Sequence, residues 1–175
     1  NLYSRSEEEL EELFGLYVMG LEELIVDKRI HDNKVKISVI GKRELLPEKV
    51  IKSIEKAEKT TENYENYVFT ICLAYGSREE IVQAIREIAS LHASGDLSLE
   101  QIDEKEVSNR LYTKGVPDPD LIIRTSGEER ISNFLLWQSA YSEFIFVDTF
   151  WPSYSKREFL RALQTYQTRT RRFGE

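Results

Sequence analysis

The chain has 175 residues, the size of one ordinary domain and enough to bury a core without staples. Hydrophobic residues make up 41% and charged residues 31%, no apolar run approaches the roughly 18 residues of a bilayer crossing, and the single cysteine, Cys72, excludes an internal disulfide framework and suits a reducing, cytoplasmic compartment. The net charge of −7 argues against broad nucleic-acid binding, which calls for a basic surplus, so any anion site has to be local.

Charge is nevertheless uneven. Glu7, Glu8, Glu9, Glu11 and Glu12 crowd the start, and Lys156, Arg157, Arg161, Arg169, Arg171 and Arg172 crowd the end. Solvated helix surface is the default reading of both runs, with contact to acidic lipid headgroups as the alternative for the basic one. The chain opens on Asn1 rather than methionine, so its start is expected to be cut.

Ser6 with Glu9 three residues on has the form of a capping box, and Leu10, Leu13, Phe14, Tyr17, Leu21, Leu24 and Ile25 recur at helical spacing after it. The stripe Leu13, Phe14, Tyr17 and Leu21 reads as ordinary core or as a wall of an apolar cleft. "KVKISVIG" (34–41) alternates and is β-branched, which predicts a strand, and Pro47 then opens a helix to about Lys59. "YVFTICLAYG" predicts the next strand, followed by a helix from Ser77 to about His92 that stops near Gly95. A short helix over about Asp103 to Tyr112 leads to the strand "DLIIRT", a helix over "NFLLWQSAY", a strand "EFIFVD" and a last helix from Ser155 to Arg172. On that last helix Phe159, Leu163, Tyr166, Thr170 and Phe173 form a stripe that should pack. His31 and His92 lack partners at metal-ligand spacing and are assigned no chemistry.

Strands separated by helices predict an α/β fold, a single domain over residues 1–175 with a mainly parallel central sheet covered by helices on both faces. In such sheets ligands bind beyond the carboxyl ends of the strands. That rule gathers "AYGSREE", "RTSGEERIS" and "DTFWPSYS" on one rim.

Within "DPDLIIRTSGEERISNFLLWQ" (118–138), an unbroken apolar strand ends in Arg124. A partly desolvated guanidinium is costly unless paired, and its planar fork suits carboxylate or phosphate. Thr125, Ser126 and Gly127 are small enough to let backbone N–H groups approach an anion, Arg130 adds a second fork, and Ser132 adds a hydroxyl at a helix N-terminus. Together they point to a diphosphate. The alternative has Arg124 and Arg130 paired with Glu128, Glu129 or Asp120, and Ser132 acting only as an N-cap. Glu143, at the start of the next strand, reads either as a surface carboxylate or, placed on the same rim, as one ligand of a divalent cation that bridges phosphate oxygens.

The run "DPDLIIRTSGEERISNFLLWQSAYSEFIFVDTFWP" closely resembles the last signature region of the cis-prenyltransferases, the undecaprenyl diphosphate synthase family. "AYGSREEI", "NLYSRSEEEL" and the terminal "RFG" resemble three further segments of that family, so the resemblance spans essentially the whole chain. It implies condensation of isopentenyl diphosphate onto an allylic diphosphate of farnesyl or geranylgeranyl type, with each new double bond cis and Mg²⁺ assisting, to make a polyprenyl diphosphate for lipid-carrier synthesis. It also implies a homodimer, a cytoplasmic enzyme with contact at the inner membrane face, and no nucleic-acid partner.

By the same resemblance, Arg124, Arg130, Ser132, Arg172 and Gly174 would bind isopentenyl diphosphate, Asn1, Arg5 and Glu9 would belong to the allylic side, and Glu143 would handle the metal. The family's "DGN-R-A" segment, with its first strand, phosphate loop and essential aspartate, is absent from this sequence, which leaves the catalytic residue unassigned. A non-catalytic partner subunit of a cis-prenyltransferase complex is the alternative. A subunit freed from substrate would have no reason to keep Arg124, Arg130 and Ser132 together. A generic nucleotide-binding module finds no G-x-G-x-x-G or G-x-x-x-x-G-K-[ST] pattern here.

Overall fold

A computed structural model describes residues 5–169. The chain divides after Tyr75 into two compact units, each with one pair of parallel strands.

In the first unit, α1 (Glu7–Val26) starts on the expected capping box, in which the Ser6 hydroxyl accepts the Glu9 N–H and the Glu9 carboxylate accepts the Ser6 N–H. Glu7, Glu8 and Glu9 in its first turn also suit the helix dipole. A short α2 (Lys28–Asp32), not foreseen from periodicity, follows on the N-cap Asp27. Strand β1 (Val35–Ile40) pairs in parallel with β2 (Tyr67–Cys72), from Val35 opposite Tyr67 to Ile40 opposite Cys72. The crossover between them is α3 (Glu48–Thr61), with Pro47 at its N-cap.

Ile37 and Val39 of β1 meet Val50, Ile54 and Ala57 of α3 and Leu21 of α1 in one buried cluster. Each fully buried aliphatic side chain here stabilises the fold by about 1.5–3 kcal/mol. Phe14 and Tyr17 pack against the same cluster, so these two residues of the α1 stripe belong to the core. Tyr67, Val68 and Phe69 of β2 stay exposed. Side chains of α3 serve backbone donors of β1: Thr61 Oγ1 accepts the Ile37 N–H and Glu58 Oε1 the Val39 N–H, both at 2.9 Å. Arg43 holds Glu58 in place from Nη2 at 2.7 and 2.8 Å.

The second unit opens on α4 (Ser77–Ser94), which ends where Gly95 turns left-handed at φ 83°. After α5 (Glu104–Ser108), strand β3 (Leu121–Arg124) pairs in parallel with β4 (Glu143–Phe146), and α6 (Lys156–Gln167) starts on a capping box of Ser155 and Glu158. On α6, Ala162 is buried while Phe159 and Leu160 are exposed, so the expected stripe packs only in part; Thr170 and Phe173 lie outside the described residues.

The α/β class with parallel strands is as the sequence suggests, but one expected element is corrected. Residues 133–141 form a succession of turns instead of a helix, because Ser132, Asn133 and Leu135 take positive φ values of 45°, 65° and 48°. Backbone groups that would have closed the helix bond elsewhere: the Leu136 N–H donates to Ser77 Oγ, and the Asn133 carbonyl accepts the Ser77 N–H.

Candidate functional site

Parallel pairing fixes Arg124 at the carboxyl end of β3, where the Val147 N–H donates to its carbonyl at 2.9 Å. The chain then turns through Ser126 and Gly127, at φ 73° and 68°. Their N–H groups donate to the carbonyls of Thr149 and Val147, both at 2.9 Å. This corrects the expectation that both would face an anion: they stitch the loop after β3 to the loop after β4. A Cβ at Gly127 would come within 3.3 Å of Asp148 Oδ1, a second reason for glycine there.

The Arg124 guanidinium donates from Nη1 to the carbonyl of Arg130 and, at 3.0 Å, to Ser132 Oγ. Among the described residues of this unit, ion pairs join Arg110 to Glu106, Arg130 to Glu128 and Arg169 to Glu143, and Arg124 takes part in none of these. A half-buried cation held by neutral oxygens keeps its charge available for a bound anion. Arg130 follows the bland reading, since its side chain is exposed and paired with Glu128. Such a pair contributes only about 0–1 kcal/mol, so a ligand phosphate can replace its carboxylate at little cost. Ser132 caps no helix; its place follows from the left-handed turn and the contact with Arg124.

That turn is moulded by the first turn of α4. The Ser77 N–H donates to the Asn133 carbonyl at 2.9 Å, the Arg78 N–H to Asn133 Oδ1 at 2.8 Å, and Asn133 Nδ2 to Glu79 Oε2 at 2.9 Å. Asn133 thus supplies the acceptors that a helix N-terminus otherwise lacks. Gly76 leaves room for the clasp, because a Cβ there would stand 2.8 Å from Asn133 Nδ2 and 2.2 Å from Glu79 Oε2. Beneath it Ser77, Glu80 and Gln138 are buried and hydrogen-bonded together. These residues were not singled out from sequence. The sequence signal is that Ser77 and Glu80 fall on one helical face with Ala84 and Ile88, which puts two polar residues in an apolar stripe; the structure buries all four.

The loop after β4 is anchored in turn, since Thr149 Oγ1 donates to Glu158 Oε1. Bonds from the Ser155 backbone and from Thr149 hold the Glu158 carboxyl below the usual glutamate range. Glu143 starts β4 opposite Leu121, three residues before the carboxyl end that carries Arg124, which corrects its expected place on the same rim; its Oε2 accepts from Arg169 Nη1 at 2.7 Å. Among the described residues no group of three or more His, Cys, Asp or Glu converges, so these side chains alone do not form a cation cage.

On the expected allylic side, Glu9 is engaged in the α1 capping box and Arg5 is exposed, its charge partly offsetting the burial that raises the Tyr17 hydroxyl. Asn1, Arg172 and Gly174 lie outside the described residues.

Comparison with known proteins identifies the family. A family model described as "Putative undecaprenyl diphosphate synthase" matches residues 1–174. Over 172 residues the chain is 48% identical to a tritrans,polycis-undecaprenyl-diphosphate synthase (geranylgeranyl-diphosphate specific) of Pyrococcus horikoshii and 49% identical to one of Thermoplasma volcanium. Those alignments cover 98% of this chain but 65% and 67% of the relatives, so the chain spans about two thirds of their length. The crystal structure of lavandulyl diphosphate synthase from Lavandula x intermedia, in complex with dimethylallyl diphosphate, superposes with a TM-score of 0.92 at 36% identity, covering 99% of this chain and 74% of that one.

Proposed function

This chain belongs to the undecaprenyl diphosphate synthase family of cis-prenyltransferases, and from that premise we propose that the protein containing it extends an allylic diphosphate with isopentenyl diphosphate units, leaving each new double bond cis. The observation that carries this reading is Arg124, whose Nη1 is held by neutral oxygens of Arg130 and Ser132 at the open end of β3.

In this proposal Arg124 and Ser132 grip the diphosphate of isopentenyl diphosphate, and Arg130 exchanges Glu128 for a phosphate oxygen. Fixing that head group orients the homoallylic double bond towards the carbon from which the allylic diphosphate departs. The new carbon–carbon bond forms as the allylic C–O bond breaks, and a proton leaves the isopentenyl unit to complete the product. The geranylgeranyl specificity in the relatives' names favours a starter of that length. The allylic half is assigned to Arg5, Glu9 and Asn1 together with the family's "DGN-R-A" segment, and Arg172 and Gly174 to the isopentenyl side, on resemblance alone.

The same reading makes residues 1–175 part of one domain, supported by a family match that runs through residue 174. It also takes Mg²⁺ as the metal, with Glu143 assigned to its handling on resemblance alone, and a homodimer as the working assembly. No helix among the described residues is long and apolar enough to cross a membrane. Exposed Phe150, Trp151 and Leu160 beside Lys156, Arg157 and Arg161 support peripheral contact of a cytoplasmic enzyme with an acidic membrane face.

The deciding experiment incubates the full-length protein with geranylgeranyl diphosphate, labelled isopentenyl diphosphate and Mg²⁺, then extracts and sizes the lipid. A ladder ending at one polyprenyl length is expected. Absence of any extended lipid would leave the partner-subunit reading in its place.

A further inference from the structure

Among the described residues of the second unit, the deepest charged side chain is Glu80, fully buried in the first turn of α4. Its Oε1 accepts from Gln138 Nε2 at 3.1 Å and from the Ser77 hydroxyl at 3.4 Å, and its Oε2 accepts the Tyr112 N–H at 3.1 Å. Ser77 Oγ in turn accepts the Leu136 N–H at 2.9 Å, and Gln138 Nε2 also donates to Thr113 Oγ1 at 2.8 Å. A carboxyl removed from water is costly unless such bonds replace its hydration, so its placement constrains whatever supplies them. Gln138 and, through Ser77, Leu136 both belong to the segment that begins at Ser132.

The Leu136 bond is the informative one. In a helix beginning at Ser132, the Leu136 N–H would close the first turn on the Ser132 carbonyl. Ser77 takes that donor instead, and Glu80 accepts the Ser77 proton, which leaves the Ser77 lone pairs facing Leu136. We propose that Glu80 is a positioning residue for the diphosphate grip: by holding Gln138 directly and Leu136 through Ser77, it keeps residues 132–138 out of helical geometry and so sets Ser132 against Arg124. This inference rests on the reading of Arg124 and Ser132 as the grip, and it adds a residue that touches neither of them.

The test uses Glu80→Gln in the full-length protein, because glutamine keeps the shape but replaces one acceptor oxygen with a donor. Either the Gln138 amide or the Tyr112 N–H then faces another donor. Inorganic pyrophosphate, titrated calorimetrically, should bind roughly tenfold more weakly, the scale of one lost hydrogen bond to a charged group. In a Ser132→Ala background the same change should cost less than about twofold, since coupled sites are not additive. Hydrogen exchange of amides 133–138 should quicken in Glu80→Gln while α6 is unchanged. Should that variant not fold, Gln138→Met removes the donor from the other side and carries the same cycle.

Full additivity with Ser132→Ala, or unaltered protection of residues 133–138, would overturn the role. A wild type that binds pyrophosphate and a variant that binds it equally well would overturn the role of Glu80 alone. A wild type that binds no pyrophosphate would overturn the grip, and the role of Glu80 with it.

Discussion

Arg124 Nη1 stands 3.0 Å from Ser132 Oγ across eight residues of chain, and that contact joins the end of β3 to a left-handed turn that no local propensity would have produced. Because Arg124 is held by neutral oxygens, removing it should take one positive charge from the site without freeing a buried carboxylate. Arg124→Ala is expected to weaken isopentenyl diphosphate binding by about 1.5–3 kcal/mol, the range of a hydrogen bond to a charged group. Ser132→Ala should cost less, about 0.5–1.5 kcal/mol. Arg124→Lys should restore little, since an ammonium cannot reproduce the planar fork. Equilibrium titration of each variant checks the order, and equal affinity for wild type and Arg124→Ala would remove the arginine from the site.

Much of this architecture was legible because it rests on local signals. The α1 capping box, the alternating β1, the Gly95 stop of α4 and the Ser155 start of α6 all appear where composition and spacing put them. The misread helix over 133–141 has a different origin. Its apolar run has no clear period, and the donors and acceptors that decide its shape come from Ser77 and Arg78, 55 to 59 residues earlier in the chain. The same holds for Ser126 and Gly127, whose N–H groups looked free for a ligand until the loop after β4 supplied their acceptors. Local reading found which residues carry charge; it could not find which backbone groups were already spoken for.

Gly41 closes β1 at φ 122°, and a Cβ there would lie 2.0 Å from the Leu73 carbonyl oxygen. The obstacle is backbone of the paired strand's end, where Leu73 N–H donates to the Ile40 carbonyl at 3.0 Å, so no side chain can swing aside. Gly41→Ala should therefore destabilise the protein by at least the roughly 1–3 kcal/mol of an unfavourable backbone conformation. Urea unfolding followed by circular dichroism reads this as a lower midpoint. A midpoint equal to that of wild type would contradict the close approach of the two strand ends.

Glu158 predicts a pH dependence whose sign follows from its hydrogen bonds. The Ser155 backbone N–H contributes most, and the Thr149 hydroxyl next, to a folded-state pKa below the unfolded one. The stabilisation is therefore complete above the unfolded value of about 4.3 and is lost as pH falls from there through the lower folded value. Other carboxyls titrate in the same window, Asp27 among them, held low by Arg29. The useful quantity is accordingly the difference between wild type and Glu158→Gln. Thermal melts between neutral pH and the acid range should show the wild-type advantage shrinking as acid is added. A constant advantage across that range would mean that Glu158 does not titrate against these partners.

Arg169 Nη1 donates to Glu143 Oε2 at 2.7 Å and to the Phe144 carbonyl at 3.0 Å, so the carboxylate proposed for metal handling is engaged by an arginine. The pair is partly exposed, with side-chain exposures of 40% and 24%, which limits its contribution to about 0–1 kcal/mol. If Glu143 helps to hold a divalent cation, the Arg169 charge competes with that cation for the carboxylate, and the pair opposes metal binding by at most its own strength. Removing the competitor should help: Arg169→Ala is expected to lower the Mg²⁺ concentration for half-maximal activity by about two- to fivefold, matching that energy. Glu143→Gln should raise it, and chelation by EDTA should abolish lipid formation in every variant. A Mg²⁺ requirement that rises in Arg169→Ala would reverse the assignment, making the arginine a support for the phosphate or for Glu143 instead of its competitor.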